Sequence, residues 1–266
     1  MTFRLLFIGD VVGDAGCSAV LGLVPRLREK LRLDAVVANG ENSAPGGRGI
    51  TAEGGQTLLS VADFLTLGNH AFDADGHEKF LDTEERVVRP ANLDADLPGR
   101  GSGLFEANGA RVGVVNVLGR VFVERTPPLT SPFEAADEAV ARLKDQGADV
   151  VVVDAHAEAT SEKQALGYHL AGRAQVVMGT HTHIPTADVT VLPGGTAYAT
   201  DVGMTGREGS IIGFDQEAFL RLFLGKPRRL RVATDGPVTL SGVVVNLDLE
   251  SRKAVGAERV SEVWHP

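Results

Sequence analysis

Two of the chain's seven histidines stand in Gly179-Thr180-His181-Thr182-His183, directly after the apolar run Ala174-Gln175-Val176-Val177-Met178. Side chains at i and i+2 share one face of an extended chain, so the spacing predicts two imidazoles presented together, which suits a metal ion. Four other apolar runs end in the same manner. Leu5-Leu6-Phe7-Ile8 leads into Gly9-Asp10, Ala35-Val36-Val37-Ala38 into Glu41-Asn42, Phe64-Leu65-Thr66-Leu67 into Asn69-His70, and Val150-Val151-Val152-Val153 into His156. The donors are thus Asp10, Glu41, Asn42, Asn69, His70, His156, His181 and His183. One ion takes three or four such ligands, whereas two ions about 3.5–4 Å apart, bridged by a carboxylate, take about seven. The number fits a two-metal site. Taken singly, each residue has a plainer explanation: Asp10 as a helix cap, Asn42 and Asn69 as turn residues, His156 as a hydrogen-bonded core histidine. Their joint placement carries the argument.

The elements that must position these groups alternate over the first two thirds of the chain. Strands are predicted at Leu5 to Ile8, Ala35 to Ala38, Phe64 to Leu67, Arg86 to Val88, Arg111 to Val117 and Val150 to Val153. Helices are predicted at Cys17 to Arg32, Ala52 to Ser60, Gly76 to Asp82, Pro132 to Gln146 and Ser161 to Tyr168, with a Pro-rich loop at Thr126-Pro127-Pro128. From about Thr186 the pattern reads as a β-meander, with strands at Val189 to Leu192, Thr196 to Thr200, Arg229 to Ala233, Leu240 to Leu249 and Ala254 to Val263. The expectation is an α/β fold of one domain over residues 1–266, an α/β/β/α sandwich of two mixed sheets flanked by helices. Sites in such folds form outside the carboxyl ends of the strands, where the donors stand.

Bulk composition narrows the function classes. A hydrophobic content of 43% over 266 residues supports a large core. With 26 Lys+Arg against 35 Asp+Glu, the net charge of −9 argues against stable nucleic-acid binding or an anionic-membrane surface. The single cysteine, Cys17, excludes a disulfide framework and a cysteine zinc site. No apolar segment reaches the ~20 residues that span a bilayer, and Gly9-Asp10 interrupts the N-terminal apolar stretch before the length of a signal peptide. A cytoplasmic enzyme is the expectation.

Gly9-Asp10, Gly40-Glu41-Asn42, Gly68-Asn69-His70, His156 and Gly179-Thr180-His181-Thr182-His183 fall in the order of the calcineurin-like metallophosphoesterase motifs. Two positions depart from that pattern: Val12 stands where a Gly-Asp-x-His motif has its ligand histidine, and Gly-Glu-Asn replaces the second Gly-Asp. This variant resembles the YmdB-type subfamily of bacterial 2′,3′-cyclic nucleotide phosphodiesterases. The supporting stretches include residues 6–13, Val88-Arg89-Pro90-Ala91-Asn92, residues 154–163 and residues 200–206. The resemblance implies one metal on Asp10, Glu41, Asn42 and His183 and a second on Glu41, Asn69, His156 and His181, with Glu41 bridging. It implies that His70 assists phosphoryl transfer, that the metals are iron or manganese, and that the chain forms a homo-oligomer. The O and N donor set itself permits Fe, Mn, Zn or Co.

Two divalent ions less the charges of Asp10 and Glu41 leave about two positive units, which draws an anionic phosphodiester to an acidic protein. Such a centre acidifies water toward neutrality and stabilises charge on phosphoryl oxygens. A small nucleotide phosphodiester is the expected substrate. A broader phosphatase or phosphodiesterase, and a regulatory or scaffold protein with a metal site, remain open alternatives. Glu158 and Asp201 are expected to orient ligand histidines, while Arg89, Arg120 and Lys163 are weaker prospects for phosphate contact. The Gly46-Gly47-Arg48-Gly49 run lacks P-loop spacing, and its glycines are expected to let the backbone pass near the metals. Phe105, Phe122 and Phe133 could serve a partner or the core.

Overall fold

Helical and strand periodicities are realised with small shifts of boundary. The computed structural model describes residues 2–123, 129–227 and 229–265; the expected Thr126-Pro127-Pro128 loop lies outside them. The strands are β1 Thr2–Ile8, β2 Asp10–Val11, β3 Ala35–Asn39, β4 Phe64–Thr66, β5 Val87–Val88, β6 Ser102–Ala107, β7 Ala110–Leu118, β8 Val150–His156, β9 Val176–Thr180, β10 Thr190–Leu192, β11 Thr196–Ala199, β12 Met204–Arg207, β13 Val238–Asp248 and β14 Lys253–Trp264. The helices are α1 Gly13–Leu31, α2 Ala52–Leu59, α3 His77–Thr83, α4 Pro132–Asp145, α5 Thr160–Leu170 and α6 Gln216–Phe223.

Local chemistry sets the helix starts. Thr51 caps α2 by accepting from the Gly54 amide, and Ser131 caps α4 by accepting from Glu134, with Pro132 at its first position. The first helix ends at Arg32 in left-handed backbone.

The strands form two mixed sheets. In the first, β1, β3, β4 and β5 run parallel, and β13 pairs antiparallel with β1 along Gly242–Asp248. The other edge of β13 takes β14, while β12 continues the β1 edge and carries β2 beside it. In the second, β7, β8, β9 and β11 are parallel, with β6 and β10 antiparallel at the two edges.

Alternation along the strands builds three layers of core. Phe3, Leu5 and Phe7 face the second sheet, meeting Val114, Val152 and Met178 in one buried cluster. Leu6 and Ile8 point the other way, to Val20, Val24 and Leu27 of α1 and Leu58 of α2. Val151 and Val153 pack against Val140 and Leu143 of α4 and Leu166 of α5. The expected α/β/β/α sandwich is the observed architecture.

The carboxyl-terminal third is more divided than a meander. There β10 and β11 extend the second sheet, with β11 parallel to β9, while β12, β13 and β14 join the first. The expected strand at Arg229 to Ala233 is a single bridge between Val232 and Phe214. Its backbone is engaged by a loop rather than a sheet, the Asp215 amide donating to Arg231 O and the Ala233 amide to Gly213 O. Strands β6 and β12 and helix α6 were not expected from periodicity. The first two are short and glycine-bearing, and α6 is brief. Of the three phenylalanines, Phe105 stacks on Phe64 and Phe133 packs beside the α4 core, whereas Phe122 is 84% exposed. No helix among the described residues is long and apolar enough to cross a membrane.

Cys17 sits in α1 with its thiol toward Ser43 O at 3.7 Å. Burial, aided by Asp14, pushes the thiol up to about 12. Native protein at pH 8 should therefore resist iodoacetamide, with one equivalent incorporated after denaturation, as read by intact-mass spectrometry; rapid native alkylation would contradict this burial.

Candidate metal centre

Every expected donor lies where the carboxyl ends of the two sheets meet. Asp10 opens β2, immediately past β1; Glu41 and Asn42 follow β3; Asn69 and His70 follow β4; His156 closes β8; and His181 and His183 follow β9. Asp10 is not a helix cap: the cap of α1 is Val12, without a side-chain bond. Instead Asp10 Oδ2 accepts from the His181 amide at 3.1 Å, while Oδ1 is 3.8 Å from His183 Nε2 and has no hydrogen-bond partner among the described residues.

The centre of the cluster is His156 Nε2. It lies 3.0 Å from Glu41 Oε1, 3.0 Å from Asn69 Oδ1 and 3.1 Å from His181 Nδ1. Glu41, His156 and His181 offer ligand atoms within 4.8 Å of one another. One imidazole hydrogen cannot serve three acceptors, but a cation can be shared by converging lone pairs. The other ring nitrogen is already engaged, His156 Nδ1 meeting Thr180 Oγ1 at 2.8 Å, and that hydroxyl in turn donates to Asp154 Oδ1 at 2.6 Å. This places the hydrogen on Nδ1 and turns the Nε2 lone pair into the site, the tautomer a metal ligand needs.

The same logic holds at the other donors. Asn42 donates its amide to Gly47 O at 2.9 Å, leaving a buried carbonyl oxygen, Oδ1, without a partner among the described residues. His183 Nδ1 donates to Ile212 O at 3.0 Å and so keeps Nε2 for Asp10's side. His70 stands beside the cluster: its amide donates to Glu41 Oε2 at 3.0 Å and its Nδ1 meets Asp73 Oδ2 at 2.6 Å.

Space for an ion is kept open by Gly68. A Cβ at this position would lie 2.3 Å from Glu41 Oε2 and 2.3 Å from His156 Nε2. Orphaned oxygens on Asp10 and Asn42, the crowd around His156 Nε2 and this gap all fit divalent metal.

Burial and neighbouring charge shift the titration of the cluster's groups. Burial raises Asp10 above the ordinary carboxylate range and carries Asp154 up to about 6. Burial acts on Glu41 in the same sense, but the His156 charge and hydrogen bond outweigh it and bring the carboxyl down to about 2. His156, disfavoured as a cation by burial, is pushed up to about 9 by Glu41, Asp10 and Asp154. Burial and the neighbouring His156 take His181 down to about 3.

Several expectations change. The two histidines of the H-x-H pair do not share a face of a strand, because β9 ends at Thr180 and both have positive φ, 93° at His181 and 65° at His183. Their amide bonds explain it: His181 N donates to Asp10 Oδ2 and Thr182 N to Asp201 Oδ2, not to a neighbouring strand. The rings consequently part, His181 toward His156 and His183 toward Asp10. Glu158 does partner His181, Oε2 to Nε2 at 3.1 Å. Asp201 touches neither histidine; it holds Thr182 between them and is paired with fully buried Lys163 at 2.8 Å. Arg89 is buried on the carbonyls of Pro90, Asp94, Leu97 and Pro98, so neither it nor Lys163 is available to substrate.

Other residues were missed in sequence. Asn39, Thr66 and Thr180 hold Asp154 behind the site, with Asn39 Nδ2 and Thr66 Oγ1 donating to Oδ2 at 2.9 and 2.5 Å. Their signal was present as polar residues inside otherwise apolar strands. Arg48 lines the cavity over the cluster, a space of about 140 Å³ shared with Glu41, Asn42, His70, His181 and His183 and roofed by Ile212, Phe214, Phe219, Leu222 and Leu230.

An α/β/β/α sandwich with Asp, Glu, Asn and His converging at its strand ends defines a metallophosphoesterase. Within that class, the family described as YmdB-like protein matches residues 6–260, and the chain belongs to it. It is 46% identical over 259 residues to the 2′,3′-cyclic-nucleotide 2′-phosphodiesterase of Bacillus subtilis (strain 168), covering 97% of this chain and 96% of that one. Among solved structures it is similar to a novel phosphatase from Mycoplasma pneumoniae, with TM-score 0.91 and 33% identity over 99% of this chain and 94% of that one. A hypothetical protein from Thermus thermophilus matches with TM-score 0.89 and 42% identity over 99% and 100% of the two chains.

If Gly68 keeps room for an ion, Gly68→Ala should lose most of its metal, read by inductively coupled plasma mass spectrometry, while circular dichroism stays native. Full metal content in the variant would show that the gap has another purpose.

Proposed function

We propose that residues 1–266 act as one metallophosphoesterase unit that hydrolyses 2′,3′-cyclic mononucleotides at a dinuclear centre. Asp10, Glu41, Asn42 and His183 would hold one ion, and Glu41, Asn69, His156 and His181 the other, with Glu41 bridging. The observation that carries the reading is the pair of buried oxygens, Asn42 Oδ1 and Asp10 Oδ1, without a hydrogen-bond partner among the described residues, beside the crowded His156 Nε2. A buried polar atom without a partner costs about 1–3 kcal/mol, and here a cation recovers it. The near full-length likeness to the Bacillus subtilis phosphodiesterase supports the substrate class. Iron or manganese is proposed from the same family resemblance, and the O and N donors are compatible with both.

When bound, the ions supply Lewis acidity and an acidified water. The protein's part is positional and acid–base. Asp73 fixes the His70 ring through Nδ1, leaving Nε2 to give a proton to the departing ribose oxygen. Water oxygen joins phosphorus, the bond from phosphorus to one of its two ribose oxygens breaks, and that oxygen becomes a hydroxyl while the other keeps the phosphate on the nucleoside. Arg48 contributes positive charge at the cavity wall, while Phe214, Phe219 and Leu222 roof the cavity with apolar surface.

His70→Ala should retain metal and lose about 10²–10⁴-fold in kcat on 2′,3′-cyclic AMP; unchanged turnover would take His70 out of the chemistry. A panel of 2′,3′-cyclic AMP, 3′,5′-cyclic AMP, an aryl phosphodiester and an aryl phosphomonoester should show strongest turnover of the first. Chelation should abolish that turnover, and added Mn²⁺ or Fe²⁺ should restore it. Metal-loaded protein inert to all four would refute the enzymatic reading.

A further inference from the structure

A larger groove adjoins the catalytic cavity. It measures about 630 Å³ and runs along residues 229–234, with Asp14, Pro45 and Gly46 on the facing side. Arg207, Arg229 and Arg231 line it, and Asp14 is the acidic residue among its described lining. Arg229 is exposed and has no hydrogen-bond or ion-pair partner among the described residues. Arg231 touches Asp215 at 3.3 Å, yet its side chain is 70% exposed. Arg207 donates through Nη1 to Gly236 O, while its buried Nε finds no acceptor among the described residues. In a chain of net charge −9, this is a local cluster of guanidinium groups along one concavity, of which Arg229 and Arg231 also border a smaller hollow with Asp215 and Glu217. Farther out, Arg221 faces Glu217 at 3.6 Å, so the unopposed positive charge is short.

The groove lies next to the metal centre. Leu230 lines both spaces, and Pro45-Gly46 on the groove wall leads directly into Gly47-Arg48 at the catalytic cavity. The catalytic cavity, at about 140 Å³, is smaller than the roughly 300–1,000 Å³ of pockets that enclose a small ligand. A nucleotide seated there by its cyclic phosphate therefore projects outward, toward further space and further guanidinium groups. Guanidinium recognises phosphate through paired N–H donors.

We infer that the groove binds the 5′-ward backbone phosphates of a short oligoribonucleotide whose 3′ end carries the 2′,3′-cyclic phosphate. The inference rests on the phosphodiesterase reading above and extends its substrate class from mononucleotides to RNA ends. The chemistry is the same. Water oxygen joins the terminal phosphorus, one bond from it to a ribose oxygen breaks, that oxygen leaves as a hydroxyl, and the oligonucleotide chain stays intact. Such termini arise when a ribose 2′-hydroxyl attacks its own 3′-phosphodiester, so an RNA-cleaving transesterification would supply them. The acidic surface beyond the groove limits engagement to the last few nucleotides.

The test compares kcat/KM for 2′,3′-cyclic AMP with that for an adenosine trinucleotide ending in 2′,3′-cyclic phosphate, on the metal-loaded enzyme and on Arg229→Glu. The trinucleotide should be preferred by about tenfold in the wild type at about 50 mM salt. The preference should shrink severalfold by about 200 mM, since each single-strand phosphate contact contributes a salt slope of about −0.7. In Arg229→Glu the preference should disappear, with mononucleotide turnover reporting that the metal site is intact. Equal kcat/KM for the two substrates in wild type would overturn the RNA-end inference and leave the phosphodiesterase reading standing. A preference that survives Arg229→Glu would remove the groove from it. Hydrolysis of neither substrate would defeat both.

Discussion

The arrangement depends on an electrostatic difficulty at the carboxyl ends of the sheets. Asp10, Glu41 and Asp154 are buried there with His156, and burial opposes charge on each of them. Behind the site the chain meets that difficulty with three donors around Asp154, from Asn39, Thr66 and Thr180. Asp10 Oδ1 and Asn42 Oδ1 have no hydrogen-bond partner among the described residues. A fold that buries such groups gives up stability at this end, and a divalent cation returns it, so metal affinity and folding stability are linked here.

Position follows from topology. The donors stand at or just past the ends of five strands, and the two sheets meet because the chain crosses between them beside the site. Between β11 of the second sheet and β12 of the first, residues 200–203 pass the ends of β9 and β1. A Cβ at Gly179 would lie 1.8 Å from Thr200 O, and one at Gly9 would lie 1.7 Å from Gly203 O, so only glycine admits the crossing. The Val202 amide donates to Gly179 O at 3.0 Å on the second sheet, and Val202 O accepts from the Ser241 hydroxyl of β13 at 2.7 Å on the first, so the crossing is tied to both. The same crossing brings Asp201, which with buried Lys163 clamps Thr182 and stabilises the left-handed backbone of the flanking histidines. Strained backbone of this kind persists where surrounding bonds over-determine it.

Charge is distributed unevenly for a related reason. The surface as a whole is acidic, yet the cavity wall bears Arg48 and the adjoining groove bears Arg207, Arg229 and Arg231. Net charge governs encounter at long range, while fixed cations a few ångströms from the ligand govern what is held.

The apolar runs and the donors that end them are legible in sequence, because strand periodicity and the rule that sites form past strand ends operate locally. Hence the sandwich, and the gathering of Asp10, Glu41, Asn42, Asn69, His70, His156, His181 and His183 at its strand ends, can be read from the chain alone. Residues that act through distant partners cannot. Arg89 and Lys163 look like phosphate contacts until burial places one on four carbonyls and the other on Asp201; Arg48 looks like loop surface until its loop closes on the cavity. The H-x-H pair stands out on a strand argument that the backbone does not obey, since its amides bond Asp10 and Asp201, the first of them far away in sequence. Sequence alone determined which groups could do the chemistry, through residue type and local period. The tertiary structure decided which atoms of those groups face one another, because burial, tautomer and backbone strain are set by contacts between segments that the chain brings together only on folding.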